Sequence, residues 1–279
     1  MKKSALALGI IVALGAAWTG GAWYTGKVAE TEFARQIQLA NKDINQSAYS
    51  LGLDVRFDNV YFERGLFSSK TKYEVLVTKL DDPSKTWTLP FEGTLYHGPL
   101  PLNQLSHFNL SPQMFSSVDQ ITKNETTTPW FDATKGKTPI SVTTSVSYSQ
   151  SGDAKVELVP FEAAMDDGIL AASGLDLTFG FVREGINKLD LELDKLAYNE
   201  FDKKGGIEFE KVKIDANYEH IPEWDYLATG KQFISGGAIK INGTDEQGKL
   251  NSFGVKDWKM DFDTVRKEKF LDSAAKMAF

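Results

Sequence analysis

The chain has 279 residues, a formal net charge of −7 at neutral pH and no cysteine. The missing cysteines exclude thiol nucleophiles, iron–sulfur centres and Cys-based zinc sites. An acidic balance without any Lys/Arg cluster excludes nucleic acid as an expected partner and leaves no electrostatic attraction to anionic lipid, so any lipid contact has to be apolar.

Lys2 and Lys3 precede an uncharged run from Ser4 to Gly26, which ends before Lys27. At about 1.5 Å rise per residue, about 20 helical residues cover the roughly 30 Å hydrocarbon core of a bilayer. The run predicts a membrane anchor over residues 1–26, spanning through 4–26, with Trp18, Trp23 and Tyr24 at the far headgroup level. The two lysines keep the N-terminus cytoplasmic, which places the protein in the inner membrane as a single-pass protein with a periplasmic body. A cleaved signal peptide is the competing reading. Lys2-Lys3 serves as its n-region, Ala5 to Ala17 as its apolar core and Gly20-Gly21-Ala22 as its cleavage site, with a free periplasmic body as product. The length of the apolar run favours the anchor.

From 27 to 52 the pattern is helical. Val28, Phe33, Ile37, Ala40, Ile44, Ala48 and Leu51 recur every three or four residues, and Gly52 is the expected terminator. This juxtamembrane amphipathic helix continues from the anchor. From 53 to 265 the period changes to two, as in Leu53-Val55-Phe57, Tyr73-Val75-Val77, Ile140 to Tyr148, Leu175 to Phe181 and Val212 to Ala216. That alternation predicts a mainly β periplasmic domain, a twisted antiparallel sheet. Turn signals fall at Asp81-Asp82-Pro83, Gly152-Asp153, Asp166-Asp167-Gly168, Asp202 to Gly206 and Glu246-Gln247-Gly248. Turns ending at Gly168, Gly206 and Gly248 each introduce a strand, the spacing of either a repeat-like β-groove or an ordinary meander. Residues 102–136 lack alternation and read as a loop with a short helix near 113–118. Residues 266–279 read as a helical tail, the start of a helix without its partner, as in either a short or a truncated chain.

Three motifs carry a resemblance: the anchor ending in Trp18 to Gly26, then Arg64-Gly65-Leu66-Phe67-Ser68-Ser69, then His97-Gly98-Pro99-Leu100-Pro101-Leu102. In order and spacing they resemble the YdgA family of Gram-negative envelope proteins, and the Lys137-Thr138-Pro139 entry into a strand fits the same pattern. The resemblance implies an inner-membrane anchor and a periplasmic β-rich body. It brings no activity, because the family's function is unassigned, and it implies relatives longer than this chain.

The residues offer little chemistry. His97 and His107 bracket Pro99 and Pro101 at no recognised metal-ligand spacing, and His220 stands at a strand end. His97 is expected to fix the Gly98-Pro99 turn through the backbone. Gly65 is expected to bend the chain, with Phe67 buried and Arg64 facing a carboxylate or carbonyls. The motif residues Arg64, Gly65, Leu66, Phe67, His97, Gly98, Pro99 and Pro101 therefore stand as a structural or interaction motif. No catalytic, metal-binding or cofactor-binding residue is assigned, and no cofactor is expected. The expected function is a non-enzymatic envelope protein, its β domain binding lipid acyl chains or scaffolding envelope proteins. A periplasmic hydrolase acting on envelope glycan or peptide is the alternative, and convergent carboxylates or a nucleophile–base pair in one cleft would mark it.

Overall fold

The structure is a computed structural model. It describes residues 2–49, 52–106, 108–164, 168–183, 185–201, 205–221, 228–244, 250–267 and 270–278. At 2–14, 36, 39–40, 42–47, 220, 228 and 250 it describes the backbone alone. His107, the side chain of His220 and the expected turns at Asp166-Asp167, 202–204 and 246–248 lie outside the described residues.

A long helix opens the chain, α1 (Lys2–Tyr49). Then follow β1 (Leu53–Arg64), β2 (Ser68–Lys79), β3 (Thr86–His97), α2 (Leu102–Ser106), β4 (Phe115–Ile121), α3 (Thr128–Ala133), β5 (Ile140–Val146) and β6 (Gly152–Leu158). The remaining strands are β7 (Phe161–Ala164), β8 (Gly168–Ala172), β9 (Leu175–Val182), β10 (Gly185–Glu200), β11 (Gly206–His220), β12 (Ala228–Thr244), β13 (Leu250–Lys267) and β14 (Phe270–Ala278). The expected mainly β class holds: among the described residues the strands form a large antiparallel sheet that is not closed. The chain divides into two compact units, residues 1–127 with 142–150 and residues 128–141 with 151–279.

In the first unit α1 runs without a break through the expected anchor–stalk boundary at 26/27. The described helix ends at Tyr49, and Gly52, with a φ of 74° and an N–H bond to the Tyr49 carbonyl (3.1 Å), is a left-handed stop. The strands lie in the order β1-β2-β3-β4-β5, with α1 across one face. Phe33 of α1 meets Phe62 (5.5 Å between centroids) and Tyr73 (6.4 Å), and Tyr73 stacks on Phe91 (5.3 Å). Asn41 treats β1 as a strand partner would. Its Oδ1 accepts from the Phe57 N–H (2.6 Å), and its Nδ2 donates to the Phe57 carbonyl (3.0 Å). That pairing satisfies part of an edge strand whose backbone otherwise invites another chain.

The second unit is a meander with strand order β6-β9-β10-β11-β12-β13-β14, and the β7–β8 hairpin pairs onto β10. Its two faces differ in chemistry. One row runs Val156, Leu177, Leu191, Ile214, Ile234, Met260 and Met277. The adjacent row on the other face runs Lys155, Thr178, Asp190, Asp215, Phe233, Asp261 and Lys276. The long strands keep this segregation through one shared irregularity. Pairing lapses between Leu193 and Lys195 of β10, Glu210 and Lys213 of β11, and Gly236 and Ala238 of β12. Lys211 and Asp257 there take φ of 53° and 52°. At that level the apolar step becomes three instead of two, Leu193 to Leu196, Phe209 to Val212 and Val255 to Trp258, while the register stays constant. An irregularity carried in step by neighbouring strands costs the ladder one level and keeps the apolar residues on one face.

Two expected helices are corrected. Residues 115–121 form β4, paired with β3 from Phe91↔Ile121 to His97↔Phe115. Its buried Ser116, Ser117 and Asp119 disguise it, because a strand carrying polar residues inward lacks the apolar alternation. Within the expected helical tail, residues 270–278 form β14, paired with β13 from Lys267↔Phe270 to Lys259↔Ala278. Its alanines and lysine favour a helix locally, but the unpaired backbone of β13 supplies hydrogen bonds that outweigh propensity.

Candidate functional site

The three sequence motifs meet at one end of the first unit. The face of α1 formed by Trp18, Gly21, Ala22, Thr25, Gly26 and Ala29 follows steps of three and four residues, and Ala22, Thr25, Gly26 and Ala29 are buried. Small side chains let the strands approach the helix backbone closely. A Cβ at Gly21 would stand 2.8 Å from Pro99 Cδ, and one at Gly26 would stand 2.5 Å from His97 Cε1. Thr25 Oγ1 donates to the Gly98 carbonyl (3.1 Å) and Trp18 Nε1 to the Leu100 carbonyl (3.3 Å). Trp18 also stacks on Phe67 at 4.9 Å. The far part of the expected span, from Trp18 onward, therefore packs on the β-rich unit.

Each motif residue has a place in this junction. Arg64 ends β1 and pairs with Glu30 of α1 at 3.2 Å, an exposed pair of the kind worth less than about 1 kcal/mol. Gly65 turns the chain, its N–H bonded to the Ser68 carbonyl at 2.9 Å. Leu66 is exposed, and its carbonyl accepts from His97 Nδ1 (3.0 Å). Gly98 donates to the Met114 carbonyl (2.8 Å), and the carbonyl of buried Pro101 accepts from Gln104 and Leu105 of α2.

Sequence reasoning missed the partner of His97. A carbonyl only accepts, so Nδ1 carries the proton and Nε2 of the neutral ring accepts from the Ser69 hydroxyl, 2.7 Å away. Burial, helped by the Arg64 charge, pushes His97 below the usual imidazole range and keeps it neutral. A hydroxyl hydrogen-bonded to a neutral imidazole is the local geometry of nucleophile and base. Here Ser69 and His97 are each 1% exposed, a backbone carbonyl occupies the orienting position, and α1 lies on the ring at Gly26. The pair is buried beneath the helix.

A second buried polar group continues this layer. Thr71, Gly93 and Asp119 stand side by side on β2, β3 and β4. The Asp119 carboxyl crosses Gly93, Oδ1 accepting from Thr71 (3.0 Å) and Oδ2 from Ser117 (2.8 Å). Burial raises its pKa, and the two hydroxyls only partly oppose that. Each member of such a buried polar layer is costly to leave unpaired. Among the described residues no group of three His, Asp or Glu side chains gathers as a metal site, and no helix is long and apolar enough to cross a membrane. The expected span 4–26 falls partly on side chains outside the described residues.

The sequence over its whole length, 1–279, matches a family model described as a bacterial protein of unknown function, DUF945. The chain belongs to the DUF945 family. Protein YdgA of Escherichia coli (strain K12) is 34% identical over 227 residues, which cover 78% of this chain and 44% of that protein. An uncharacterized protein of Haemophilus influenzae is 38% identical over 158 residues, 57% of this chain and 42% of its own. The uncharacterized protein YihF of Escherichia coli is 26% identical over 198 residues, 69% of this chain and 39% of its own. The chain thus spans less than half the length of these DUF945-like relatives, and no solved structure matches it. The expected kinship with the YdgA family holds.

Proposed function

We propose that this DUF945 protein is a non-enzymatic envelope protein, held at the inner membrane by the N-terminal part of α1, whose periplasmic second unit binds lipid acyl chains on the apolar face of its sheet. One observation carries this reading. The row from Val156 through Leu191 and Ile214 to Met277 crosses the second unit without a polar residue. The opposite face carries ion pairs such as Lys155–Glu157 (2.6 Å) and Lys213–Glu192 (2.8 Å). Within the second unit α3 packs on β7, a strand that carries no residue of that row. Half-buried apolar side chains in such number favour an apolar occupant, at about 25 cal/mol for each Å² withdrawn from water.

The test is site-specific photo-crosslinking in cells, with a photoreactive residue at Ile214 or at Lys213 on the opposite face. Lipid adducts at Ile214 and none at Lys213 are expected. Protein adducts at Ile214 would replace lipid binding by scaffolding. Equal labelling of both faces would remove the apolar face as a site. The hydrolase alternative finds no support in the buried Ser69–His97 pair.

A further inference from the structure

The two most exposed apolar side chains of the first unit, Phe108 and Leu110, lie at one end of it, although Tyr49, Leu80 and Trp87 are exposed at the other. The direction of α1 defines that end. Trp18 lies at Phe67 and Leu100, Thr25 at Gly98, Glu30 at Arg64 and Asn41 at Phe57, so α1 runs antiparallel to β1. Its N-terminal part, residues 2–17, therefore leaves the unit beside the β1–β2 turn. The β3–β4 connection returns at the same end, since Gly98 bonds to Met114 (2.8 Å). Met114 in turn bonds to Val146 at the end of β5 (2.8 Å), which brings the turn after β5 there as well.

These connections present Leu66, Leu102, Phe108, Leu110 and Tyr148 to solvent, with Phe108 92% and Leu110 69% exposed. Phe108 sits at φ 57°, a conformation that a bulky side chain rarely adopts, and its ring points away from the unit's interior. Charge is segregated too. Residues 65–69, 98–118 and 142–152 contain no Asp, Glu, Lys or Arg. The connections at the other end carry Asp81, Asp82 and Lys85 in one and Lys123 and Glu125 in another.

A length mismatch points the same way. With Trp18 docked on the unit, the part of the uncharged run that precedes it is residues 4–17. At about 1.5 Å per residue these reach about 21 Å, short of the roughly 30 Å hydrocarbon core. A helix that short holds its domain at a bilayer only if the domain itself enters the headgroup region.

We propose that this end of the first unit is a membrane-docking rim, on which Leu66, Leu102, Phe108, Leu110 and Tyr148 insert into the leaflet that α1 enters. The occupant is the lipid bilayer, for three reasons. The rim is continuous with an uncharged helix that leaves from it, it lacks charge where the opposite end is charged, and it makes up the depth that the free helix lacks. The proposal rests on the anchored reading above. Trp23 and Tyr24, exposed on α1 beside the rim, stand at the level suited to amphipathic rings.

The chain has no cysteine, so a single introduced one reports alone. Full-length Phe108→Cys, Leu110→Cys and Ser84→Cys are labelled with an environment-sensitive fluorophore. They are then reconstituted in vesicles of phosphatidylethanolamine and phosphatidylglycerol. Ser84 lies in the β2–β3 turn at the charged end. The proposal expects labels at 108 and 110 to shift to the blue, to be quenched by nitroxide-bearing lipid and to lose quenching by aqueous iodide. The label at 84 stays open to iodide. Iodide quenching at 108 and 110 equal to that at 84, in protein that floats with vesicles, overturns the rim and leaves the anchor standing. Protection from iodide without lipid quenching means a protein cover and also overturns the rim. Failure to float with vesicles overturns the anchored reading and the rim with it.

Discussion

Gly26→Ala tests whether the α1–His97 junction has the geometry described. The new methyl would lie 2.5 Å from His97 Cε1, 2.6 Å from Nδ1 and 3.1 Å from Nε2. Apolar atoms rest at about 3.5–4.0 Å, so about 1 Å must be found. The ring cannot yield freely, since Nε2 is tied to Ser69 at 2.7 Å and Nδ1 to Leu66 at 3.0 Å. Moving it strands a buried polar group, at about 1–3 kcal/mol. Lifting α1 instead loosens the Trp18–Phe67 stack and the Thr25 bond to Gly98, each worth about 0.5–1.5 kcal/mol. Against this, alanine gains about 1 kcal/mol of helix propensity over glycine. The balance is a loss of about 0–2 kcal/mol, at the low end of the range for overpacked sites. Gly20→Ala is the control. No atom lies within 4 Å of its new methyl, so it keeps the propensity gain of about 1 kcal/mol. Thermal unfolding of the full chain should separate the two variants by about 2–12 °C, at about 2–4 °C per kcal/mol. Amide exchange at 97–101 should rise in Gly26→Ala alone. Equal melting temperatures for the two variants would refute the close approach of helix and imidazole.

Three further substitutions probe buried groups. The raised pKa of Asp119 means that the folded state holds its proton more tightly than the unfolded one. Its stabilisation is therefore fully present below the ordinary pKa of 3.8 and is lost as pH rises through the higher folded value. Asp119→Asn keeps an acceptor for Thr71 or Ser117, so its stability relative to the native chain should grow as pH rises over that window in urea titrations. A difference independent of pH would count against the buried carboxyl. In the second unit a methyl at Gly236 would meet Trp258 Cε2 at 2.5 Å, so Gly236→Ala should cost about 1–3 kcal/mol. Trp258→Phe vacates the indole edge and also removes a buried Nε1–H that has no acceptor. The double variant should recover part of the loss, and additive losses in a double-mutant cycle would deny the contact.

Sequence alone determined what local chemistry controls. The uncharged run from Ser4 to Gly26, the helical stripe ending at Gly52 and the period-two alternation of the strands are each legible because burial on one side imposes a period on the chain. The three-residue steps from Leu193 to Leu196, Phe209 to Val212 and Val255 to Trp258 were equally present, but only the register of four neighbouring strands turns them into one shared irregularity. Tertiary structure decided whatever depends on partners far along the chain. Thr25 meets Gly98 across 73 residues, Ser69 meets His97 across 28 and Thr71 meets Asp119 across 48. Those contacts explain why glycines that weaken an isolated helix stand at 21 and 26, and why β4 carries serines and an aspartate inward. They also show why an uncharged run read as membrane to its end turns at Trp18 into a packing surface. A periodic pattern records that a face is covered; the fold decides whether lipid, solvent-shielded strand or another helix covers it.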